Sequence, residues 1–276
     1  MTAAEQVVHE TGLAPLPLRV LVKGASPAHW ISWMDGPRED LAYPRVTEQE
    51  LLAAGHPARV RDLSVTSERA RTGLKNWQRQ VFNFSPDVVV LNYGLFEAVH
   101  QFLPQPLERY ANSLISRPGS VRDAYRKRVV RPTWVALAKG QQRLDGVLPA
   151  TMFRHRPRRF AADMELLIQR IQMVQSPLVL VLEVSPPGET WRSWFPGIAE
   201  RISETNEVLA EVVRRIDRPD VRYFPTSTAL AGLVDAGEDI VPDGGHYTPA
   251  AHRALGAALA AEILAWSEQQ PLLRRR

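Results

Sequence analysis

The residues Val88-Val89-Val90-Leu91-Asn92-Tyr93 decide the fold, because the stretch has strand length and begins with an uninterrupted apolar run over Val88–Leu91. A run without polar alternation is typical of a parallel strand that helices cover on both faces. Ser85-Pro86-Asp87 precedes the run as a turn, and Gly94 ends it. The pattern predicts a central strand of an α/β protein.

Strand-like and helix-like segments alternate on both sides of this run. Strands are predicted at 18–22, 58–65, 88–93, 177–184 and 221–224, and helices at 28–34, 47–54, 67–82, 160–174, 198–216 and 249–266. Ser26 with Pro27 is predicted to cap the first helix, and a capping box from Thr47 to Glu50 the second. Such alternation predicts a five-stranded parallel sheet with helices on both faces.

The chain of 276 residues is long enough to bury a large core, and we expect a single domain over 1–276. Residues 1–17 are expected to form a flexible N-terminal extension. Residues 98–159 are rich in proline and interrupt the alternation, with helical pieces near 106–116 and 120–145. We interpret this segment as a helical insertion placed to cover a site.

Composition excludes several classes of function. Without cysteine there is no thiol nucleophile, disulfide or thiolate metal site. No apolar stretch reaches the ~18 residues of a membrane span and the N-terminus lacks a signal-peptide pattern, so a cytoplasmic protein without a membrane partner is expected. The net charge of +4 comes with arginine runs at 154–159 and 274–276. These runs lack interleaved aromatic residues, so we favour solvated segments or attraction of an anionic substrate over nucleic-acid binding.

The stretch Val241–His252 places Asp243 three residues before His246 in a turn with two glycines. Thr248 and Pro249 are typical of the start of a helix. A carboxylate that orients an imidazole makes it a better general base. The turn therefore predicts half of an acid/base site that lacks a nucleophile.

Ser26 is the candidate nucleophile, because it follows the first strand in a turn with Gly24. Ligands of open α/β sheets bind outside the carboxyl ends of the strands, and backbone N–H groups at a helix start stabilise negative charge. The alternative is that Ser26 serves only as an N-cap.

Gly24-Ala25-Ser26, Gly94 and Asp243-x-x-His246 together resemble the SGNH/GDSL hydrolase family, most strongly over Pro242–His252. The resemblance implies a flavodoxin-like three-layer α/β/α fold and the hydrolysis or transfer of acyl groups. By this resemblance Ser26 is the nucleophile, His246 the general base and Asp243 its orienting partner. It implies neither a cofactor nor a metal ion.

The sequence departs from the family at the groups that stabilise the oxyanion. Ala25 stands where the family carries Asp, and Ser67 is nearest to the position of its second-block glycine, with Gly73 close by. The third block reads Gly94-Leu95-Phe96-Glu97, so Phe96 replaces the Asn side chain that donates to the oxyanion. Loss of one such donor typically costs ~10²–10³ in rate.

Substitutes for that donor are the backbone N–H groups of Ser26 and Ser67 and the side chains of Asn92 and Asn76. A Glu97–Glu183 carboxylate pair at two strand ends is a weaker alternative. The near match of 24–28 to the Gly-x-Ser-x-Gly elbow is also weak, since that elbow normally comes mid-chain. His252 is expected to be a surface histidine of the last helix. Trp30, Trp33, Trp191 and Trp194 flank the rim, where they line an acyl pocket or simply pack.

The sequence therefore predicts a serine esterase, thioesterase or acyltransferase that works through an acyl-enzyme. Its substrate is expected to be a small acyl ester or thioester, with an anionic, carrier-bound or sugar-linked molecule compatible with the basic charge. The alternative is a non-catalytic binding or scaffold protein of the same fold with a degenerate oxyanion hole.

Overall fold

A computed structural model describes residues 16–32, 40–99, 124–145, 147 and 156–270. Within these residues one parallel sheet contains five strands in the order β2-β1-β3-β4-β5. This is the flavodoxin-like order, which reverses direction beside the first strand. The predicted α/β class and five-stranded parallel sheet are confirmed. The strands are β1 (Leu18–Gly24), β2 (Ala58–Asp62), β3 (Val88–Asn92), β4 (Leu178–Leu182) and β5 (Val221–Phe224).

Helices cover both faces of this sheet and make a three-layer structure. In chain order they are α1 (Tyr43–Ala53), α2 (Ala70–Trp77), α3 (Leu95–Ala98), α4 (Arg131–Asp145), α5 (Pro157–Gln172), α6 (Glu189–Trp194), α7 (Ile198–Ile216), α8 (Thr226–Asp235) and α9 (Pro249–Glu268). Helices α1, α8 and α9 pack on one face, and α2, α5 and α7 on the other.

The two faces of the sheet bury alternate residues of the same strands. Val88 and Val90 of β3 contribute to the core beneath α1 and α9. Val89 and Leu91 contribute to the core beneath α5 and α7. Since side chains alternate along a strand, a strand that is covered on both sides must be apolar at every position. This requirement explains the uninterrupted apolar run.

Two predicted helix starts were wrong. Ser26 is not an N-cap, because Ser26–Ala28 forms only a short 3-10 turn, which Ala25 precedes without a side-chain cap. The predicted capping box at Thr47 lies inside α1, which begins at Tyr43 with a proline in its first turn. There the Thr47 hydroxyl donates to the Tyr43 carbonyl at 2.9 Å, as threonines within helices commonly do. Local capping motifs alone did not locate these helix starts.

Helices α6 and α8 were not predicted. Helix α8 follows β5 directly, in a segment to which no element was assigned. Its first turn is held by Glu183, whose carboxylate accepts from the backbone N–H and the hydroxyl of Ser227 at 2.7 and 2.6 Å. Glu183 thus supports the start of α8. This structural role accounts for a carboxylate at the end of β4 without a catalytic Glu97–Glu183 pair.

Part of the predicted insertion is described, and it is helical over 124–145. Asp145, the last residue of α4, forms a buried ion pair with Arg201 of α7 at 3.0 Å. Asp145 also accepts from the Gly197 N–H, and Arg201 donates to the Ala98 carbonyl. These contacts fasten the end of α4 to α7 and to the end of α3. Residues 1–15 of the extension expected over 1–17, the helical piece at 106–116 and Trp33 lie outside the described residues.

Candidate active site

Ser26, His246 and Asp243 lie in a continuous chain of hydrogen bonds. The Ser26 hydroxyl is 2.9 Å from Nε2 of His246. Nδ1 of the same ring is 2.8 Å from Oδ2 of Asp243. With an ionised Asp243, Nδ1 carries the proton that it donates, and Nε2 accepts from the Ser26 hydroxyl. This arrangement can draw a proton from the serine as its oxygen attacks.

Two loops at the carboxyl edge of the sheet, one after β1 and one before α9, bring these residues together. Ser26 follows the end of β1, and the Asp243 turn precedes α9. Ser32 bridges the two segments, because its N–H donates to the Tyr247 carbonyl at 3.0 Å and its hydroxyl accepts from the Asp243 N–H at 3.3 Å. Nothing in the sequence pattern around Ser32 marks this role, and we had not predicted it.

Asp243 shapes its own turn as well as orienting the imidazole. Its Oδ1 accepts from the N–H groups of Gly245 and His246 at 3.0 and 2.8 Å. Burial alone would raise the pKa of Asp243, but the hydrogen bonds from His246 and Gly245 outweigh burial and lower it. The carboxyl group is therefore ionised at neutral pH, as an orienting group for an imidazole must be.

The glycine pair of the turn is needed for close packing against Trp191 of α6. A Cβ on Gly244 would lie 2.0 Å from Cδ1 of Trp191, and one on Gly245 would lie 2.8 Å from its Cζ2. Gly244 also has φ of +103°, a region that favours glycine. Trp191 thus packs beneath the His246 turn and serves as a platform for it, in agreement with the packing alternative of the prediction.

His252 is not the surface histidine that we expected. It is fully buried, its Nδ1 accepts from the Tyr43 N–H at 3.0 Å, and its Nε2 is 3.3 Å from the Trp30 carbonyl. Burial lowers the pKa of His252 to about 4, so it is neutral. The Trp30 ring lies 5.6 Å from the His246 ring, centroid to centroid. His252 therefore holds the segment that carries this aromatic neighbour of His246.

The residues predicted near the oxyanion occupy different environments. Asn92 ends β3, and its side-chain amide donates to the Tyr43 hydroxyl at 3.3 Å. The carboxylate of Glu97 accepts from the N–H groups of Gly94 and Ala70 at 3.1 and 2.7 Å. The Gly94 N–H and the Glu97 carboxylate are thus engaged with each other. Their contacts join the start of α3 to the start of α2.

Phe96 is part of the core, and Ser67 lies in the loop after β2. Phe96 is 8% exposed and its ring meets Trp191 edge-on at 6.2 Å. An apolar side chain packed in this way replaces the donor that the family resemblance placed here. Ser67 is partly buried and has φ of +59°. Asn76 and Gly73 lie on α2, where Gly73 packs against the Tyr93 hydroxyl.

A small cleft is lined by the chain neighbours of Ser26 and His246, namely Pro27, Gly245 and Tyr247. Asn92, Ser185 and Gly244 also line it. The Ser185 hydroxyl is 2.8 Å from that of Tyr247, so the polar wall of the cleft is internally bonded. Ser26 itself is 1% exposed. Hydrogen bonds in such a desolvated setting are stronger than in water.

Among the residues that the structure describes, His, Asp and Glu side chains do not come together in groups of three or more that could hold a metal ion. None of the helices found there is long and apolar enough to cross a membrane.

No protein-family model and no curated protein matches the sequence. Solved structures do match. A lipase/acylhydrolase from Enterococcus faecalis superposes with a TM-score of 0.59 at 15% identity, over 90% of this chain and 96% of that one. A carbohydrate acetylesterase from Sinorhizobium meliloti gives 0.57 at 14% identity, over 90% and 99%. A putative GDSL-like lipase from Parabacteroides merdae gives 0.57 at 12% identity, over 93% and 96%.

These structures share the sheet and helical layers over nearly their whole length. At identities of 12–15% the likeness concerns the fold. It agrees with the flavodoxin-like strand order of the sheet. The chain has the fold of the SGNH/GDSL hydrolases.

Proposed function

We propose that the protein is a serine esterase that forms an acyl-enzyme on Ser26. The observation that carries this proposal is the chain of hydrogen bonds from Ser26 through His246 to Asp243. The Ser26 oxygen attacks the ester carbonyl while Nε2 of His246 takes its proton. The tetrahedral intermediate then collapses, and His246 returns the proton to the departing alcohol. A water molecule, deprotonated by His246, next attacks the acyl-enzyme and releases the acid and free Ser26.

The substrate class follows from the site and from its structural relatives. The small cleft is lined by polar residues such as Asn92 and Ser185 as well as by apolar ones such as Leu95 and Val184. One structural relative is a carbohydrate acetylesterase, so we infer a small acyl ester on a sugar or a similar polar molecule. Transfer of the acyl group to an acceptor other than water uses the same first half-reaction. An anionic or carrier-bound acceptor is compatible with the net charge of +4.

The competing proposal is a binding or scaffold protein that keeps this fold without catalysis. It is favoured by Phe96, which is buried in the core at the position where the family resemblance places a side-chain donor. The two proposals differ in one property, which is the reactivity of Ser26. The hydrogen-bonded chain argues for reactivity, because an inert scaffold does not need a serine held 2.9 Å from an oriented imidazole.

Labelling with a fluorophosphonate probe tests the proposal directly. We expect the wild-type protein to be labelled and to hydrolyse p-nitrophenyl acetate, and Ser26→Ala to do neither. Ser193→Ala is the matched control, since Ser193 is an exposed serine on α6, and it should be labelled like the wild type. Labelling that persists in Ser26→Ala, or a wild-type protein that is inert to both reagents, favours the binding protein.

A further inference from the structure

A buried ion pair lies beneath the loop between β2 and α2, outside the Ser26–His246–Asp243 chain. Nζ of Lys23 donates to Oε2 of Glu68 at 2.7 Å, and the Tyr93 hydroxyl donates to the same oxygen at 3.1 Å. Lys23 is 3% exposed and Glu68 is 5% exposed. A buried ion pair is often no more stabilising than apolar residues of the same size. Stability alone therefore does not explain why the pair is there.

The pair closes the loop at both ends. Nζ of Lys23 also donates to the Leu63 carbonyl at 2.8 Å, at the start of the loop, while Glu68 stands at its end. In between, the Val65 N–H donates to the Gly24 carbonyl at 3.0 Å. Gly24 is two residues before Ser26, so the loop is bonded to the segment that carries the nucleophile.

The residue at the tip of this loop has an unusual backbone. The Glu68 N–H donates to the Val65 carbonyl at 2.9 Å, which closes a four-residue turn over 65–68. Ser67 is the third residue of the turn and has φ of +59°. Glycine adopts this left-handed region freely, whereas a residue with a side chain adopts it only at a cost in free energy. The contacts around Ser67 must offset that cost for the turn to persist.

Tyr93 reaches the ion pair only because Gly73 of α2 has no side chain. A Cβ on Gly73 would lie 2.1 Å from the Tyr93 hydroxyl oxygen. The helix after the loop thus leaves room for the third member of the network. Lys23 comes from β1, Tyr93 from the residue after β3 and Glu68 from the loop. The network therefore fixes the loop against the two central strands.

We propose that Lys23, Glu68 and Tyr93 are positioning residues that hold Ser67 in the left-handed conformation, with its backbone N–H directed at the carbonyl oxygen of the substrate. This inference rests on the proposed esterase function. It assigns a function to a buried network that makes no contact with Ser26 or His246. It also explains how a serine takes a backbone position that glycine would adopt without support.

Combining variants of the network with Ser67→Gly tests the proposal. With p-nitrophenyl acetate, we expect Glu68→Gln to lower kcat about 10- to 100-fold with little change in KM, since one oxyanion donor is worth about 10²–10³. Tyr93→Phe keeps the ion pair and should lower kcat about 3- to 10-fold. Adding Ser67→Gly to either variant should restore most of the lost kcat, because glycine adopts positive φ without the network.

Asp87→Asn is the matched control, because it breaks the Arg19–Asp87 ion pair at the opposite end of β1 and β3. We expect Asp87→Asn to leave kcat nearly unchanged, and Ser67→Gly to have the same effect on kcat in Asp87→Asn as in the wild type. If Ser67→Gly restores nothing in variants whose circular dichroism is native, the network is merely structural and the proposal is wrong. If Glu68→Gln does not fold, the comparison of kcat between Tyr93→Phe and Tyr93→Phe with Ser67→Gly decides the question.

Hydrogen exchange separates this proposal from the esterase proposal. The Glu68 amide closes the turn, and its exchange can be measured whether or not the protein is an enzyme. Faster exchange at Glu68 in Tyr93→Phe supports the positioning of the loop, and unchanged exchange contradicts it. A wild-type protein without Ser26-dependent activity contradicts the esterase proposal alone.

Discussion

Nε2 of His246 lies 2.9 Å from the hydroxyl oxygen of Ser26, although 220 positions separate the two residues in the chain. The contact exists because β1 and the turn before α9 both end at the same edge of the sheet. Ser32, bonded to both segments, fixes their separation. The geometry therefore depends on a few contacts whose removal has specific consequences.

Asp243→Asn should lower kcat about 10²- to 10⁴-fold and leave KM nearly unchanged. The amide cannot supply the negative charge that stabilises a protonated imidazole, and it can bond the wrong His246 tautomer. Steady-state kinetics with p-nitrophenyl acetate measures the effect. Asp239→Asn is the matched control, because Asp239 also accepts a backbone N–H, that of Val241, in the same loop. Equal losses in both variants would show that only the loop fold matters.

Gly244→Ala should lower both kcat and the thermal midpoint, because its Cβ would collide with Trp191 and move the His246 turn. Gly237→Ala provides the comparison, since Gly237 has φ of +80° but nothing within 4 Å of a Cβ. Both variants carry backbone strain of roughly 1 kcal/mol. Only Gly244→Ala adds the collision, and comparable activity in the two variants would contradict the role of Trp191 as a platform.

His252 should destabilise the fold in acid. Burial lowers its pKa to about 4 from the ordinary 6.5. Between these two pH values the unfolded chain binds a proton at His252, whereas the folded protein does not. Its contribution to stability is complete above pH 6.5 and is lost as pH falls towards 4, by about 3 kcal/mol. Urea unfolding of the wild type and His252→Asn between pH 4 and 7 measures it, with exposed His56→Asn as the control. Equal pH slopes in all three proteins would contradict the prediction.

Glu97 should act in the opposite direction. Burial raises its pKa to about 7, although hydrogen bonds from backbone N–H groups, such as that of Ala70, oppose the rise. The folded protein then holds a proton that the unfolded chain releases above pH 4.5, so this contribution is complete below pH 4.5 and is lost as pH rises through 7. We expect roughly 1–3 kcal/mol. In the same urea series, Glu97→Gln should remove this fall; a variant that keeps it would show that another group titrates.

Local sequence was sufficient for the sheet and for the ends of the candidate site. The apolar runs Val88–Leu91 and Leu178–Leu182 predicted β3 and β4 to within a few residues, because burial on both faces demands apolar side chains. The glycine-rich turn after Asp243 and the turn after β1 could also be predicted from the sequence. Both depend on interactions over a few residues, which the chain encodes directly.

Tertiary structure decided the features that depend on distant partners. The sequence around His252 does not indicate that it is buried, yet its ring nitrogens bond to the Tyr43 N–H and the Trp30 carbonyl. Trp191 became a platform only because α6 meets the Gly244 turn, and Lys23 became part of a buried network only because Glu68 and Tyr93 converge on it. The spacing of apolar residues in the sequence indicates which side chains are buried. The identity of the group each one meets, and hence its protonation and role, is set by packing between segments far apart in the chain.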